Sequence, residues 1–161
     1  MATGLSTQLT RQIGEHLVTA ELGRRQVIGT PFAGNVPDID ILAFANGISA
    51  PIQVKAINGI SWQFDVRSFL DVIPTEKGQK VNGLKDLNRK IICIFVVVGK
   101  NLGEDTFYIF QLGWLQDYFR SHYGEGRQLP KNIKSFHCAI WKKDLEQHLG
   151  KWEVIEHEFK L

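Results

Sequence analysis

The segment that most restricts the fold is IICIFVVVG at 91–99, where eight apolar residues precede the glycine and seven of the eight are β-branched or aromatic. A strand with one wet face alternates apolar and polar residues. This run does not alternate, so it reads as a strand covered on both faces, the pattern of a central strand in a layered arrangement. It is far too short to cross a bilayer, which takes about 20 residues as a helix. The rest of the chain must supply the neighbouring strands and the layers that cover them.

Those parts are visible as periodicity and punctuation. Residues 6–23 read as a helix, with Leu9, Ile13, Leu17, Ala20 and Leu22 near one face, Ser6 or Thr7 as cap and Gly23 as stop. Arg24 to Ile28 reads as a short strand and TPFAGNVP as a loop. Asp38 to Phe44 and Ile52 to Ile57 read as an antiparallel hairpin, joined somewhat loosely through ANGISAP with its Asn46-Gly47 turn signal. SWQFDVRSFLDV is compatible with strand or helix, and the polar, glycine-containing stretch from Glu76 to Asn88 reads in part as a mobile loop. After the strand Ile91 to Val98 come a turn at Gly103 to Asp105 and a strand at Thr106 to Phe110. An amphipathic helix at Leu112 to His122, a loop GEGRQLPKN, a strand at Ser135 to Trp141 and a short helix at Lys142 to Leu149, ended by Gly150, complete the order. It predicts an α/β or α+β fold with a mixed central β-sheet flanked by helices. A length of 161 residues fits one domain over 1–161, and there is no internal repeat.

Composition narrows the class. With 43% hydrophobic and 22% charged residues, the chain reads as a folded, water-soluble domain, not a disordered one. A net charge of +2 does not by itself point to nucleic acid. Its distribution is uneven: Glu76 to Lys100 carries six Lys or Arg against two acids, and Glu153 to Leu161 three Glu against one Lys. The basic stretch is either a solvated face or a source of phosphate contacts. Cys93 and Cys138 lie in apolar runs and read as buried free thiols of a reducing compartment, with no Cys/His spacing that suggests zinc. MATGLSTQLTRQ has no long apolar segment, so a cytoplasmic location without membrane attachment is expected.

The stretch VPDIDILAFANGISAPIQVK, residues 36–55, places charges among strand-forming residues. On a strand alternate residues face the same way, so Asp38 and Asp40 are expected to point together, as are Gln53 and Lys55. Pairing of the two strands brings acids, an amide and an ammonium group onto one patch. An unpaired buried carboxylate costs several kcal/mol, so the patch needs compensation, either a salt bridge to Lys55 or a divalent cation. Mg²⁺ prefers oxygen ligands and is satisfied by one or two carboxylates with waters and a phosphate. A lysine beside it can orient or deprotonate a water, or hold the phosphate as a point charge.

PDID followed by IQVK resembles the signature of the PD-(D/E)xK nuclease superfamily, the restriction-endonuclease-like fold with its αβββαβ core. The spacing to Gln53 is thirteen residues from Asp40, or fifteen from Asp38. GEHLVTAEL is similar to the first core helix of Holliday-junction-resolvase-like members, and Glu15 matches the glutamate that completes their site. The resemblance covers Gly14 to Ala56, about a quarter of the chain. It implies Glu15 as a direct or outer metal ligand, Asp40 as main ligand with Asp38 as neighbour or substitute, and Lys55 as the catalytic lysine, with Mg²⁺ as cofactor and Mn²⁺ as its substitute. Asp40 is preferred because the family's acid commonly precedes an apolar run such as ILAF. Gln53 departs from the family's usual Asp or Glu. Its amide oxygen can still ligate, but one negative charge is lost and metal affinity should fall. Some members of the family do carry Gln there.

The expectation is therefore a magnesium-dependent endodeoxyribonuclease of restriction, homing or junction-cleaving type, acting on DNA as a homodimer or higher homo-oligomer so that both strands are cut. The alternative is a catalytically inactive member of the fold that binds nucleic acid or protein, with Gln53 as its mark. A third reading makes Asp38, Asp40 and Lys55 an ordinary cross-strand ion-pair face. Arg24, Arg25, Lys77, Lys80 and Lys85 are candidate phosphate contacts that also suit plain surface positions. Trp62, Phe64 and Phe69 read as core in preference to base-stacking residues, and His122 and His137 as structural.

Overall fold

The apolar run becomes β7 (Ile92–Val97) of a mixed five-stranded sheet, in a computed structural model that describes residues 4–33, 36–76, 78–123 and 135–161. In chain order the elements are α1 (Gly4–Arg24), β1 (Ile28–Pro31), β2 (Ile41–Ala45), β3 (Ile48–Ile57), β4 (Ser61–Asp65), β5 (Leu70–Thr75), β6 (Gly78–Leu84), β7, β8 (Thr106–Gln111), α2 (Leu112–Tyr123), β9 (His137–Trp141) and α3 (Glu153–Phe159). Two 3₁₀ turns, Val66–Ser68 and Lys142–His148, complete them. The chain forms two compact units, one of residues 1–61, 91–110 and 141–161, the other of residues 62–90 and 111–140.

The first unit holds the sheet, in the order β1-β2-β3-β7-β8. β1, β2 and β3 are antiparallel neighbours, and β3 runs parallel to β7 with Ile52 opposite Ile92 and Lys55 opposite Phe95. Val18 and Leu22 of α1, Ile155 and Phe159 of α3, and Ile41, Ala43, Ile52, Val54, Ile92, Ile94 and Val96 of the strands form one buried cluster. Each fully buried Ile or Phe there contributes about 1.5–3 kcal/mol. On the other side of β7, Phe95 meets Phe110 edge-on, with ring centroids 5.0 Å apart, and so both faces of this strand are covered as its sequence predicts.

The β2–β3 hairpin is tighter than expected. Asn46 and Gly47 both take positive φ, 50° and 76°, which is the two-residue turn that Asn-Gly favours, and pairing runs to Ala45↔Ile48. Bonded pairs then alternate from the turn through Ala43↔Ala50 and Ile41↔Ile52, leaving Leu42↔Pro51 a non-bonded pair. Pro51 also precedes Ile52, the first residue paired with β7, so its missing N–H interrupts no ladder bond.

Several expectations are corrected. The stripe of α1 that is buried is Thr10, Gly14, Val18 and Leu22, while Leu9 and Ile13 are exposed, because the helix turns its small side to the sheet. Ser6 and Thr7 lie inside α1 and do not cap it. Arg25 and Gln26 form a turn, with Gln26 at φ 62°, and the strand starts only at Ile28. α3 has no counterpart in the sequence reading.

The second unit pairs β4 with β9 and β5 with β6. Residues 78–84, read as loop, are β6, antiparallel to β5 with an irregularity at Asp71/Val72. Phe64, Phe69 and Phe119 of α2 form an aromatic core, with Phe69 and Phe119 centroids 4.7 Å apart. Fully buried Gln116 donates through Nε2 to the Phe69 and Lys85 carbonyls at 3.0 and 2.9 Å and accepts from Arg89 Nη1 at 3.2 Å. The loop GEGRQLPKN lies outside the described residues.

Candidate active site

The site lies in the first unit, where β2 begins against the middle of β3. Ile41, the first residue of β2, is opposite Ile52, so Asp40 stands just before the ladder begins, and Gln53 is opposite Cys93 on β7. In a sheet, directly opposed residues share a face. Gln53 and Cys93 therefore form a row across β3 and β7, with Lys55 two residues along on the same face of β3, and the Asp40 carboxylate meets β3 between Gln53 and Lys55, at the Val54 N–H.

Asp40 sits where the ladder becomes irregular. Its N–H donates to the Ile52 carbonyl at 3.0 Å, one residue out of register, and its own carbonyl accepts from Phe32 N–H at 3.0 Å. Its carboxylate Oδ2 accepts from the Val54 N–H at 2.7 Å, in the place where the bonded pair after Ile41↔Ile52 would present a backbone carbonyl. One carboxylate oxygen is thus fixed on the backbone, which orients the other.

Glu15 comes from α1, which lies on β3 through Gly14: a Cβ there would overlap the Cβ of Ala56. Burial, and then the charge of nearby Asp40, raise the Glu15 carboxyl above its usual range, while Arg11, His16 and Lys55 act in the opposite direction. Asp40 and Lys55 are thus both within electrostatic range of Glu15. Lys55 and Gln53 are both partly exposed.

Gln53 Oε1 accepts a long, weak hydrogen bond from the Cys93 thiol at 3.8 Å. Cys93 is fully buried, and its burial pushes the thiol up to about 12, so it stays protonated and can donate. Cys138, the other free thiol, is buried in the second unit and pushed up to about 12 by burial as well.

Asp38 does not join the row. It is exposed, in a turn at φ 64°, and β2 begins only at Ile41, so the strand parity that paired it with Asp40 does not apply. Arg24 and Arg25 pair with Glu21 at 3.4 and 2.7 Å, and Arg25 lies 4.1 Å over the Trp152 ring. Lys80 is exposed on β6, and Lys85 Nζ donates to the Arg67 carbonyl at 3.3 Å, both in the second unit. Lys77 lies outside the described residues. Among the described residues no three His, Cys, Asp or Glu side chains are gathered as a metal cluster; the site offers two carboxylates, Glu15 and Asp40, and the Gln53 amide. No helix among them is long and apolar enough to cross a membrane.

Two participants escape a reading of the sequence. Gly14 precedes Glu15 in GEH, but only the helix-to-strand approach gives it a role. Cys93 becomes the neighbour of Gln53 through a parallel pairing 40 residues apart, which no local pattern encodes.

No family model matches the chain, and no curated protein matches it in sequence. Among solved structures it is similar to that of a bacterial homing endonuclease, I-Ssp6803I, with a TM-score of 0.54 at 12% identity over 95% of this chain and 95% of that one. At this identity the likeness establishes the fold: a mixed α+β, nuclease-like architecture around the five-stranded sheet.

Proposed function

We propose that the protein is a divalent-metal-dependent endonuclease that hydrolyses phosphodiester bonds in DNA. The observation that carries this reading is the Asp40 carboxylate held on the Val54 N–H, between Gln53 and Lys55, with Glu15 near enough to feel its charge, on a fold shared with a homing endonuclease. The donor chemistry fits a hard cation such as Mg²⁺, with Mn²⁺ as substitute: two carboxylates and an amide oxygen are all oxygen donors. The repulsion between Glu15 and Asp40 is also what a cation offsets.

Such a cation, when bound, supplies a Lewis acid for a phosphate oxygen and lowers the pKa of water. Asp40 holds its free oxygen in place because the other is tied to Val54 N–H. Glu15 supplies the second carboxylate from the helix, and Gln53 a neutral oxygen whose lost charge weakens the set. Lys55, on the face of Gln53, places an ammonium group to steer the scissile phosphate or orient the attacking water.

Two copies are required for two cuts in a duplex, so a homodimer or higher homo-oligomer is part of the proposal. The expected role is homing, restriction or junction cleavage. The test is cleavage of supercoiled plasmid, linear duplex and four-way-junction DNA with Mg²⁺ or Mn²⁺, accompanied by melting curves. Metal-dependent cutting and a rise in Tm at millimolar metal support it. DNA binding without metal response or cutting leaves a binding module, for which Gln53 and its Cys93 contact are the supporting observation.

A further inference from the structure

We propose that Gly14 is a positioning residue of this site: by lacking a side chain it lets α1 lie close against β3, and so sets where Glu15 stands beside the hairpin. The inference rests on the reading of Glu15 and Asp40 as metal ligands.

A Cβ on Gly14 would overlap the Ala56 Cβ and stand 3.8 Å from Val54 Cγ1, so any other residue forces the helix away from the strand. Local preference runs the other way, since alanine is the better residue in a helix interior. The close approach outweighs it. The strand residues that Gly14 meets frame the site: Ala56 follows Lys55, and Val54 lies between Gln53 and Lys55 and donates its N–H to Asp40 at 2.7 Å. Helix and hairpin acid are therefore both registered against Val54. Glu15, the next residue along, is turned about 100° around the helix, so it flanks the contact instead of entering it, in keeping with its partial burial.

The experiment titrates Mn²⁺ against Tm for wild type, Gly14→Ala and Gly14→Ala/Ala56→Gly. Gly14→Ala is expected to need about tenfold more Mn²⁺ for half its stabilisation, the usual scale for residues that orient ligands. The double variant, with the opposing methyl removed, is expected to recover most of that loss. A contact that is only structural would lower the metal-free Tm and leave the Mn²⁺ midpoint alone, so an unchanged midpoint, or no recovery in a folded double variant, overturns the proposal. Should Gly14→Ala not fold, Ala56→Ser applies a smaller wedge from the strand side, with the same expected direction and the same overturning result. If Mn²⁺ does not stabilise wild type, the metal-site reading fails, and positioning is then read without metal. In that case the rate of disulfide formation in Glu15→Cys/Asp40→Cys is compared with and without Gly14→Ala. Slower crosslinking with the alanine supports positioning, and equal rates overturn it.

Discussion

The Asp40 carboxylate closes the β2–β3 ladder by accepting the Val54 N–H at 2.7 Å. The same side chain is thus both a structural cap and a proposed metal ligand, and the two roles separate by substitution. Asp40→Ala leaves a partly buried N–H without this acceptor and is expected to cost about 1–3 kcal/mol. At this chain length that lowers Tm by about 2–4 °C per kcal/mol. Asp40→Asn keeps an oxygen acceptor and is expected to stay within about 1 kcal/mol of wild type. Both are expected to abolish cleavage. Equal destabilisation by Asn and Ala in thermal melts would remove the capping role.

Gln53 shares a face of β3 with Lys55 and accepts from the protonated Cys93 thiol. Gln53→Glu adds a third carboxylate beside two that already repel, so the metal-free Tm is expected to fall below wild type. The Mg²⁺ midpoint is expected to fall roughly tenfold, because ligand charge sets affinity at oxygen sites. A midpoint that does not move, measured by calorimetry, would take Gln53 out of the ligand set.

In the second unit, Gln116 is fully buried and serves two backbone carbonyls, those of Phe69 and Lys85. Gln116→Leu keeps the bulk and removes both donors. The expected cost is about 1–3 kcal/mol, read by denaturant unfolding. A neutral result would mean that water replaces the amide.

His148 gives a pH dependence of stability. Burial, and then Lys151, lower its pKa below 6.5, so the folded state favours the neutral ring, which lies 5.1 Å from the Phe110 ring. A group with a depressed folded pKa contributes stability that is complete above the unfolded value and lost as pH falls through the folded one. Wild type is therefore expected to lose more Tm than His148→Gln between about pH 8 and about pH 5. Parallel Tm curves would exclude His148 as a source of acid sensitivity.

Much of the fold is legible in the sequence because burial imprints it. The run at Ile91 to Val98 marks the central strand, Asn46-Gly47 marks the hairpin, and Leu112 to His122 marks α2. β5 is mostly exposed and β6 mostly half-buried, so no face of theirs is forced to be apolar and a real strand resembles a loop. The stripe of α1 was hidden because Thr10 and Gly14 are buried for their small size, not for their hydrophobicity. At the site, the spacing from Asp40 to Gln53 is local and readable. Asp38, by contrast, leaves the row through a left-handed backbone that strand parity cannot anticipate.

The most direct measurement is the nicking of supercoiled plasmid by wild type and Lys55→Ala in Mg²⁺ and Mn²⁺, with DNA binding measured on the same samples. The account predicts metal-dependent cutting by wild type, and for Lys55→Ala cutting reduced at least about a hundredfold with binding nearly intact, as expected for a group that acts in the transition state. Undiminished cutting by Lys55→Ala, or no cutting by wild type in either metal, would contradict it.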